Sequence, residues 1–243
     1  MDEAVVREEL ARIGRDIATL LGENFVGFYI SGSFAMGAWN PRSSDLDFLV
    51  VMKHPATPEE DAALASLHTA LSKTEIGKRL EGEYIERETL RQKQFHMPVG
   101  TVLEGVYYPD IPCRLSADNV LCLIQYGQCI LGEPVEQLAL TVTAEELSQA
   151  VYQMLLEDRE KLETAASVET VLALLINSLR SIYTLRTGLL PTKSAAVTFN
   201  QDLLSGDLRT YLTKFQEGMV PDVVIPRAEV RAIMEYGLSL QKS

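Results

Sequence analysis

The feature that most constrains the fold of this chain is a pair of aspartates at the start of an apolar strand. Asp45 and Asp47 flank Leu46, and the apolar run FLVVM follows without a break. Because strand side chains alternate between two faces, residues two apart point to the same side. Two carboxylates buried side by side are costly unless a cation compensates their charge. The pattern therefore predicts a buried strand that opens at a metal-binding acidic pair.

A second apolar segment, FYI at residues 28–30, ends in the small residues Ser31, Gly32 and Ser33. Small residues allow main-chain N–H groups and the Ser33 hydroxyl to approach a phosphate closely. A phosphate-binding turn beside a carboxylate pair is typical of metal-assisted nucleotidyl transfer. The alternative is that Asp45 is only a turn residue and that Asp47 pairs with a lysine or an arginine.

Gly32-Ser33 followed by Asp45-Leu46-Asp47 resembles the motif of the nucleotidyltransferase fold that is shared with DNA polymerase beta. The resemblance implies an α/β catalytic domain, a mixed sheet with flanking helices, in which both aspartates bind Mg²⁺. Arg42, in the loop before the pair, could reach a phosphate or be solvated.

Apolar periodicity and capping signals predict the elements of such a domain. We expect helices over residues 3–21, near Phe34 and from Thr57 to about Leu71, and strands over residues 26–30, 46–52, 82–87 and 102–108. Ser116 can cap a further helix to about Tyr126, which the segment ILGEP at 130–134 should break.

From Thr143 the chain is predicted to be helical to its end, with helices that include residues 168–187 and about 226–240. We therefore expect a nucleotidyltransferase catalytic domain over residues 1–135 and an all-helical domain over residues 136–243, which would bind substrate and close over ATP.

The charge of the chain bears on its partners. The net charge is −12, which argues against a nucleic-acid substrate and suits a cationic small molecule. No apolar run approaches the ~20 residues that span a bilayer, so we expect no membrane partner. The acidic N-terminus and three cysteines without Cys-x-x-Cys spacing predict a cytoplasmic protein with reduced thiols.

The segment SLRSIYTLRTGLLPTKSAA resembles the helical-domain motif of the aminoglycoside 3″-adenylyltransferases, the streptomycin and spectinomycin resistance enzymes. This resemblance implies ATP-dependent transfer of AMP to an aminoglycoside hydroxyl, with two Mg²⁺ ions and release of pyrophosphate. By position, Ser33 and Ser44 match the nucleotide-contacting serines, beside Gly32 of the same turn. Arg180 and Lys193 match the basic pair that holds the ATP phosphates. The alternative for Arg180 is a structural ion pair within the helical bundle.

A third carboxylate is expected in the segment LEGEYIE at residues 80–86. Glu83 best matches the single glutamate that serves the family as general base, and we assign it also as a metal ligand with Asp45 and Asp47. Glu81 would share its strand face, whereas Glu86 would point the other way. The alternative is an edge strand whose glutamates only improve solubility.

The acceptor is less constrained, because residues 165–170 lack the tryptophan and most of the acidic groups that family members carry there. Two alternatives stay open: transfer to another acceptor such as a protein hydroxyl, and a nucleotide-binding regulatory module without turnover. The intact pair Asp45 and Asp47 argues against the regulatory module.

Overall fold

The computed structural model describes residues 2–41 and 44–240, which fall into two compact units, Met1–Thr141 and Val142–Ser243. The N-terminal unit combines strands and helices. Its elements are α1 (Glu3–Leu21), β1 (Phe25–Ile30), α2 (Gly32–Ala35), β2 (Leu46–Met52), α3 (Pro58–Leu71), β3 (Leu80–Glu86), α4 (Arg87–Arg91), β4 (Pro98–Leu103), β5 (Val106–Pro112), α5 (Ala117–Tyr126) and β6 (Gln128–Gly132).

A six-stranded mixed sheet is the frame of this unit. The strand order is β5-β4-β3-β2-β1-β6. The central neighbours β2 and β3 run parallel, and the other neighbouring pairs are antiparallel. The parallel pair is joined by α3, as a parallel connection requires a crossover. The candidate residues Asp47 and Glu83 thus lie on the two middle strands.

One face of the sheet packs against α1 and α3. Val6, Leu10, Ile13 and Ile17 recur at helical spacing and are fully buried in one cluster with apolar residues of the strands, such as Phe48. Full burial of each such side chain stabilises the fold by about 1.5–3 kcal/mol. The predicted first helix is confirmed.

Helix α3 begins as its sequence predicts. The Thr57 side chain accepts a hydrogen bond from the N–H group of Glu60, whose side chain in turn accepts one from the Thr57 N–H group, and Pro58 occupies the first turn. This capping box satisfies main-chain donors that have no partner within the helix.

The prediction of a single strand over residues 102–108 was wrong, because this region belongs to the hairpin of β4 and β5. Glu104 and Gly105 form its turn with φ angles of 50° and 77°, between the paired residues Leu103 and Val106. Two positive φ angles suit the two-residue turns that match strand twist, but Glu at the first position is uncommon there. The sequence signal for the turn was therefore weak.

Two further elements differ from the expectation. Helix α5 ends at Tyr126, as predicted, but the segment at residues 130–134, which was expected only to break a helix, overlaps the edge strand β6, in which Gln128 pairs with Ile30 of β1. The strand expected to end at Arg87 ends at Glu86, and the short helix α4 follows directly. The apolar residues of β6 are half-buried, so they resemble a loop in sequence.

All regular elements of the C-terminal unit, within its described residues, are helices. Thr143 forms the predicted capping box with Glu146, and the second predicted helix ends at Gly188 with a φ of 71°. The elements are α6 (Ala144–Thr164), α7 (Val168–Thr187), α8 (Lys193–Phe199), α9 (Gly206–Gln216) and α10 (Arg227–Ser239).

Helix α7 is the core helix of this unit. Ten of its residues are buried, and Leu172, Leu175 and Leu179 are fully inaccessible to solvent. By length and composition alone, α7 could cross a membrane. Core helices of soluble proteins share this property. The predicted fold class, an α/β unit followed by an all-helical one, is confirmed.

Candidate active site

Three carboxylates share the sheet face that is turned away from α1 and α3. The parallel register pairs Asp47 with Glu81 and Leu49 with Glu83. Because paired residues of neighbouring strands point to the same side, Asp47, Glu81 and Glu83 lie on one face, as their alternation predicts. Glu86 points to the other side and accepts a hydrogen bond from the Thr89 hydroxyl at 3.1 Å.

These carboxylates line a cavity of about 170 Å³. Its wall is completed by Ser31, which directly follows β1, and by residues of α4, β4, α5 and the segment that leads into α5. The lining residues used below are Ser31, Asp47, Glu81, Glu83 and Arg114, beside an apolar side formed mainly by leucines and valines. The cavity therefore combines negative charge with a partly apolar wall.

The small-residue turn lies directly beside Asp47. Ser31 N–H donates to the Asp47 carbonyl oxygen at 2.9 Å, and Gly32 has a φ of 59°. A Cβ atom on Gly32 would lie 1.8 Å from Asp47 Oδ2. Ser33, in the first turn of α2, is half-buried. The structure thus brings the Gly32-Ser33 turn against the second aspartate of the motif.

Glu83 is the most buried of the carboxylates that line the cavity, with 7% of its surface exposed. Burial raises the pKa of its carboxyl to about 7, helped by the charges of Asp47 and Glu81 and opposed by Arg114. Burial also raises the pKa of Glu81, with the Asp45 and Asp47 charges adding to it and Arg114 lowering it. Perturbed carboxyl groups in a cavity are typical of catalytic sites.

Asp45 stands just before β2 and is exposed. It lies near enough to Glu81 to raise the pKa of that residue, although it is not among the residues that line the cavity. Ser44 anchors this loop, since its hydroxyl accepts from the Asn40 N–H group at 3.0 Å and its carbonyl accepts from Arg79 Nη1 at 3.1 Å. Arg42 lies outside the described residues.

The side chains of the predicted metal ligands Asp45, Asp47 and Glu83 do not form one cluster. Within residues 2–41 and 44–240, no group of three or more His, Cys, Asp or Glu side chains is close enough to hold a metal ion. Mg²⁺ nevertheless prefers oxygen ligands and is usually held by one or two carboxylates together with substrate phosphates. The carboxylates around the cavity are donors of this kind, so the residues fit a metal that arrives with a nucleotide.

Arg180 and Lys193 belong to the helical unit. The Arg180 Nε atom on α7 is buried without a hydrogen-bond partner, and the residue forms no ion pair with any other described residue. Lys193 is exposed and is the first residue of α8, after the Thr192 cap. A buried guanidinium nitrogen without a partner is costly, and no ion pair within the described residues compensates it at Arg180.

The sequence did not single out Arg114 or Thr101. Arg114 lines the same cavity as Glu83, and its charge lowers the pKa of that carboxyl. Thr101 of β4 is paired with Glu83, and its buried hydroxyl has no partner among the described residues. Both depend on the β4–β5 hairpin, for which the local sequence signal was weak.

Comparison with known proteins agrees with this geometry. The family model of the nucleotidyltransferase domain matches residues 15–105, which hold the Gly32-Ser33 turn, Asp45, Asp47 and Glu83. The N-terminal unit is a nucleotidyltransferase domain. This confirms the prediction that the chain is a transferase enzyme. No curated protein matches this nucleotidyltransferase by sequence.

A solved structure shares the fold over nearly the whole nucleotidyltransferase chain. It is the crystal structure of the spectinomycin adenyltransferase AAD(9) from Enterococcus faecialis with ATP and spectinomycin. The identity is 20%, the TM-score is 0.66, and the match covers 97% of this chain and 99% of that chain. The expected resemblance to the aminoglycoside adenylyltransferases is thereby confirmed in the fold.

Proposed function

We propose that this nucleotidyltransferase transfers AMP from ATP to a hydroxyl group of an aminoglycoside-type antibiotic and releases pyrophosphate. The observation that carries the proposal is the juxtaposition of the Gly32-Ser33 turn with Asp47, in one cavity with Glu83. Spectinomycin is the first acceptor to test, because the structure with the same fold contains ATP and spectinomycin.

The residues that would hold the nucleotide are those of the motif and of the helical unit. Gly32, Ser33 and Ser44 would contact the nucleotide, and Arg180 and Lys193 would contact its phosphates. Asp45, Asp47 and Glu83 would hold two Mg²⁺ ions. The bound metal would neutralise the phosphate charge and lower the pKa of the attacking hydroxyl.

Glu83 is the candidate general base. The acceptor oxygen would form a bond to the α-phosphorus while the bond to the pyrophosphate oxygen breaks, and the hydroxyl proton would pass to the Glu83 carboxylate. Burial raises the pKa of this group to about 7, which is close to the operating pH at which a general base is most effective.

The negative charge of the site supports a cationic acceptor. Asp45, Asp47, Glu81 and Glu83 lie in or beside one cavity, and acidic clefts attract cations. Such a reaction would make the protein an antibiotic-resistance enzyme. We also propose that it works in the cytoplasm, where ATP is available and where Cys113, Cys122 and Cys129 would stay as the free thiols found here.

The test is an assay with α-labelled ATP, Mg²⁺ and separate aminoglycosides, among them spectinomycin and streptomycin, with products identified by mass. We expect an acceptor heavier by one AMP and an equal amount of pyrophosphate. Asp47→Asn should abolish both products while the circular dichroism spectrum stays native. Label that appears only on protein, or activity that survives in Asp47→Asn, would overturn the proposal.

A further inference from the structure

The segment that leads from the sheet towards the helical unit is held in place within the N-terminal unit. It consists of Glu133 and Pro134, followed by a short 3₁₀ helix over Val135–Leu138. We call residues 133–138 the anchor segment. It follows β6 directly and precedes the end of the N-terminal unit at Thr141. The chemistry proposed above gives it no role.

The first residue of the anchor segment, Glu133, is fixed by three hydrogen bonds. Its N–H group donates to the Val26 carbonyl oxygen at 3.0 Å, and its carbonyl oxygen accepts from the buried Tyr29 hydroxyl at 2.7 Å. Its carboxylate pairs with Arg87 Nη2 at 2.6 Å, and both side chains of this ion pair are only partly exposed. Gly27 makes room for the Tyr29 hydroxyl, since a Cβ atom on Gly27 would lie 2.2 Å from that oxygen.

The last residue of the anchor segment is held by the same helix. Arg91 Nε donates to the Leu138 carbonyl oxygen at 2.8 Å, and the Leu138 side chain is fully buried. Arg87 and Arg91 are the first and last residues of α4, which follows β3 directly. Leu90 of this helix is buried and lines the acidic cavity. Helix α4 therefore ties both ends of the anchor segment to the strand that carries Glu83.

The restraints on the chain end immediately after Leu138. Ala139 is exposed and has a φ of 53°, a left-handed conformation that is uncommon for residues other than glycine. In the described part of the chain, residues 140–142 form no hydrogen bond. The next restraint is the capping box of Thr143 at the start of α6. A few loop residues that can absorb changes in φ and ψ, placed between two compact units, are the usual construction of a hinge.

We propose that residues 139–142 are a hinge, and that Arg87 and Arg91 are positioning residues that fix its N-terminal side to the strand of the cavity. The consequence for nucleotide binding rests on the proposed function, in which Arg180 and Lys193 of the helical unit contact the ATP phosphates. Loss of the anchor would extend the freedom of the chain before the helical unit, so more conformational entropy would be lost when ATP binds.

Hydrogen–deuterium exchange of the full chain, read at single-residue resolution, tests the hinge and the anchor without ATP or acceptor. In the wild type, the amides of residues 140–142 should exchange at the rate of an unfolded chain, whereas the hydrogen-bonded amides of Glu133 and Gln137 should be protected. Arg87→Ala should accelerate exchange within residues 133–138 by about ten-fold, because a hydrogen bond between charged groups contributes energy of this order.

Glu133→Gln removes the same ion pair from its other side, and it replaces Arg87→Ala if that variant does not fold. The double variant should exchange no faster than either single variant, since both changes remove one interaction. Arg87→Lys should restore part of the protection. Arg12→Ala is the matched control in the same unit, because Arg12 pairs with Glu9 and Asp16 on α1, and it should leave residues 133–138 protected.

Calorimetry with a nonhydrolysable ATP analogue tests the positioning role. Arg87→Ala and Glu133→Gln should raise its Kd by about five-fold or more, the factor that corresponds to ordering one further residue on binding. Arg12→Ala should not change it. Ala139→Gly loosens the hinge itself, because glycine adopts many more backbone conformations. It should weaken binding of the analogue similarly while residues 133–138 stay protected.

Protected amides over residues 140–142, or an unchanged Kd in Ala139→Gly, would overturn the hinge. Wild-type exchange of residues 133–138 in both Arg87→Ala and Glu133→Gln would overturn the anchor. Faster exchange with an unchanged Kd in these two variants would overturn the positioning role alone. A wild type that binds no ATP analogue would overturn the proposed function and the positioning role with it, whereas the exchange rates would still decide the anchor.

Discussion

Gly32 and Asp47 are in such close contact that no side chain fits at position 32. A Cβ atom there would lie 1.8 Å from Asp47 Oδ2 and 2.6 Å from its Cγ. The φ of 59° at Gly32 adds a second restriction, since side chains rarely adopt this conformation. The turn that would receive a phosphate and the carboxylate that would receive a metal are thus held in one arrangement.

Gly32→Ala should therefore displace Asp47. We expect the rate of nucleotidyl transfer to fall by at least about 10²-fold, because small displacements of reacting groups can slow a reaction by this factor. Gly37→Ala is the control, because Gly37 has a similar φ of 68° but open space around its Cβ position. Both variants should lose about 1–2 kcal/mol of stability from the strained conformation, and Gly32→Ala should lose more because its Cβ atom also clashes with Asp47. If both also lose the same activity, the contact with Asp47 has no special role.

Glu83→Gln should slow AMP transfer by about 10²–10⁴-fold, the usual contribution of a general base, with little change in ATP binding. Glu81→Gln is the matched control, since Glu81 lies on the same strand face. Single-turnover rates with labelled ATP measure the difference. A larger loss in Glu81→Gln than in Glu83→Gln would show that the base is Glu81.

The same variant should change the pH dependence of stability. Burial raises the pKa of Glu83 from 4.5 to about 7, so the folded state keeps a proton that the unfolded state releases within this interval. Stability from this group is present below pH 4.5 and is lost as the pH rises through about 7. Metal-free Glu83→Gln should therefore be more stable than wild type at pH ~8, by about 1–3 kcal/mol in urea unfolding.

His68 should produce the opposite pH dependence. Its ring stacks between Phe48 and Tyr107 and lies 2.7 Å from the Tyr84 hydroxyl through Nε2. Burial lowers its pKa from 6.5 to about 4, so the unfolded state binds a proton that the folded state rejects. Stability from this group is present above pH 6.5 and is lost as the pH falls through about 4.

Urea unfolding of His68→Gln tests this effect. Replacing the ring costs packing at every pH, but the free energy of unfolding should fall less between pH ~7 and pH ~4 than it does in wild type. The exposed His54 supplies the control, and His54→Gln should follow the wild-type profile. A wild-type profile in His68→Gln would show that the buried ring accepts a proton without cost.

Arg180→Ala should weaken ATP binding, since the Arg180 side chain has no ion pair within the described chain and a buried Nε without a partner. If Arg180 holds the nucleotide, the acceptor should bind more tightly when ATP and Mg²⁺ are present, by about 1–3 kcal/mol, and Arg180→Ala should remove most of this gain.

Calorimetry with a nonhydrolysable ATP analogue measures both affinities. Arg231→Ala is the control in the same helical unit, because Arg231 pairs with Glu163 at 2.7 Å on its surface. Equal affinities in wild type, Arg180→Ala and Arg231→Ala would leave Arg180 with a structural role only.

The sequence alone determined the elements whose signals are local. The apolar spacing and Gly22 fix helix α1, the Thr57 capping box fixes the start of α3, and Gly188 fixes the end of α7. Likewise the pattern around Asp47 defined the strand β2, because two carboxylates before an apolar run have few compatible environments. Such signals depend on residues within a few positions of each other, so they need no knowledge of the fold.

Only the tertiary structure decided which distant residues surround the acidic pair. The parallel register of β2 and β3 sets Glu81 opposite Asp47 and places Glu83 on the same face, and the β4–β5 hairpin leads the chain back so that Arg114 lines the same cavity as these carboxylates. Register and strand order depend on how whole faces of the sheet are buried. No local pattern encodes them, because the same short segments would fit other neighbours until the complete core selects one arrangement.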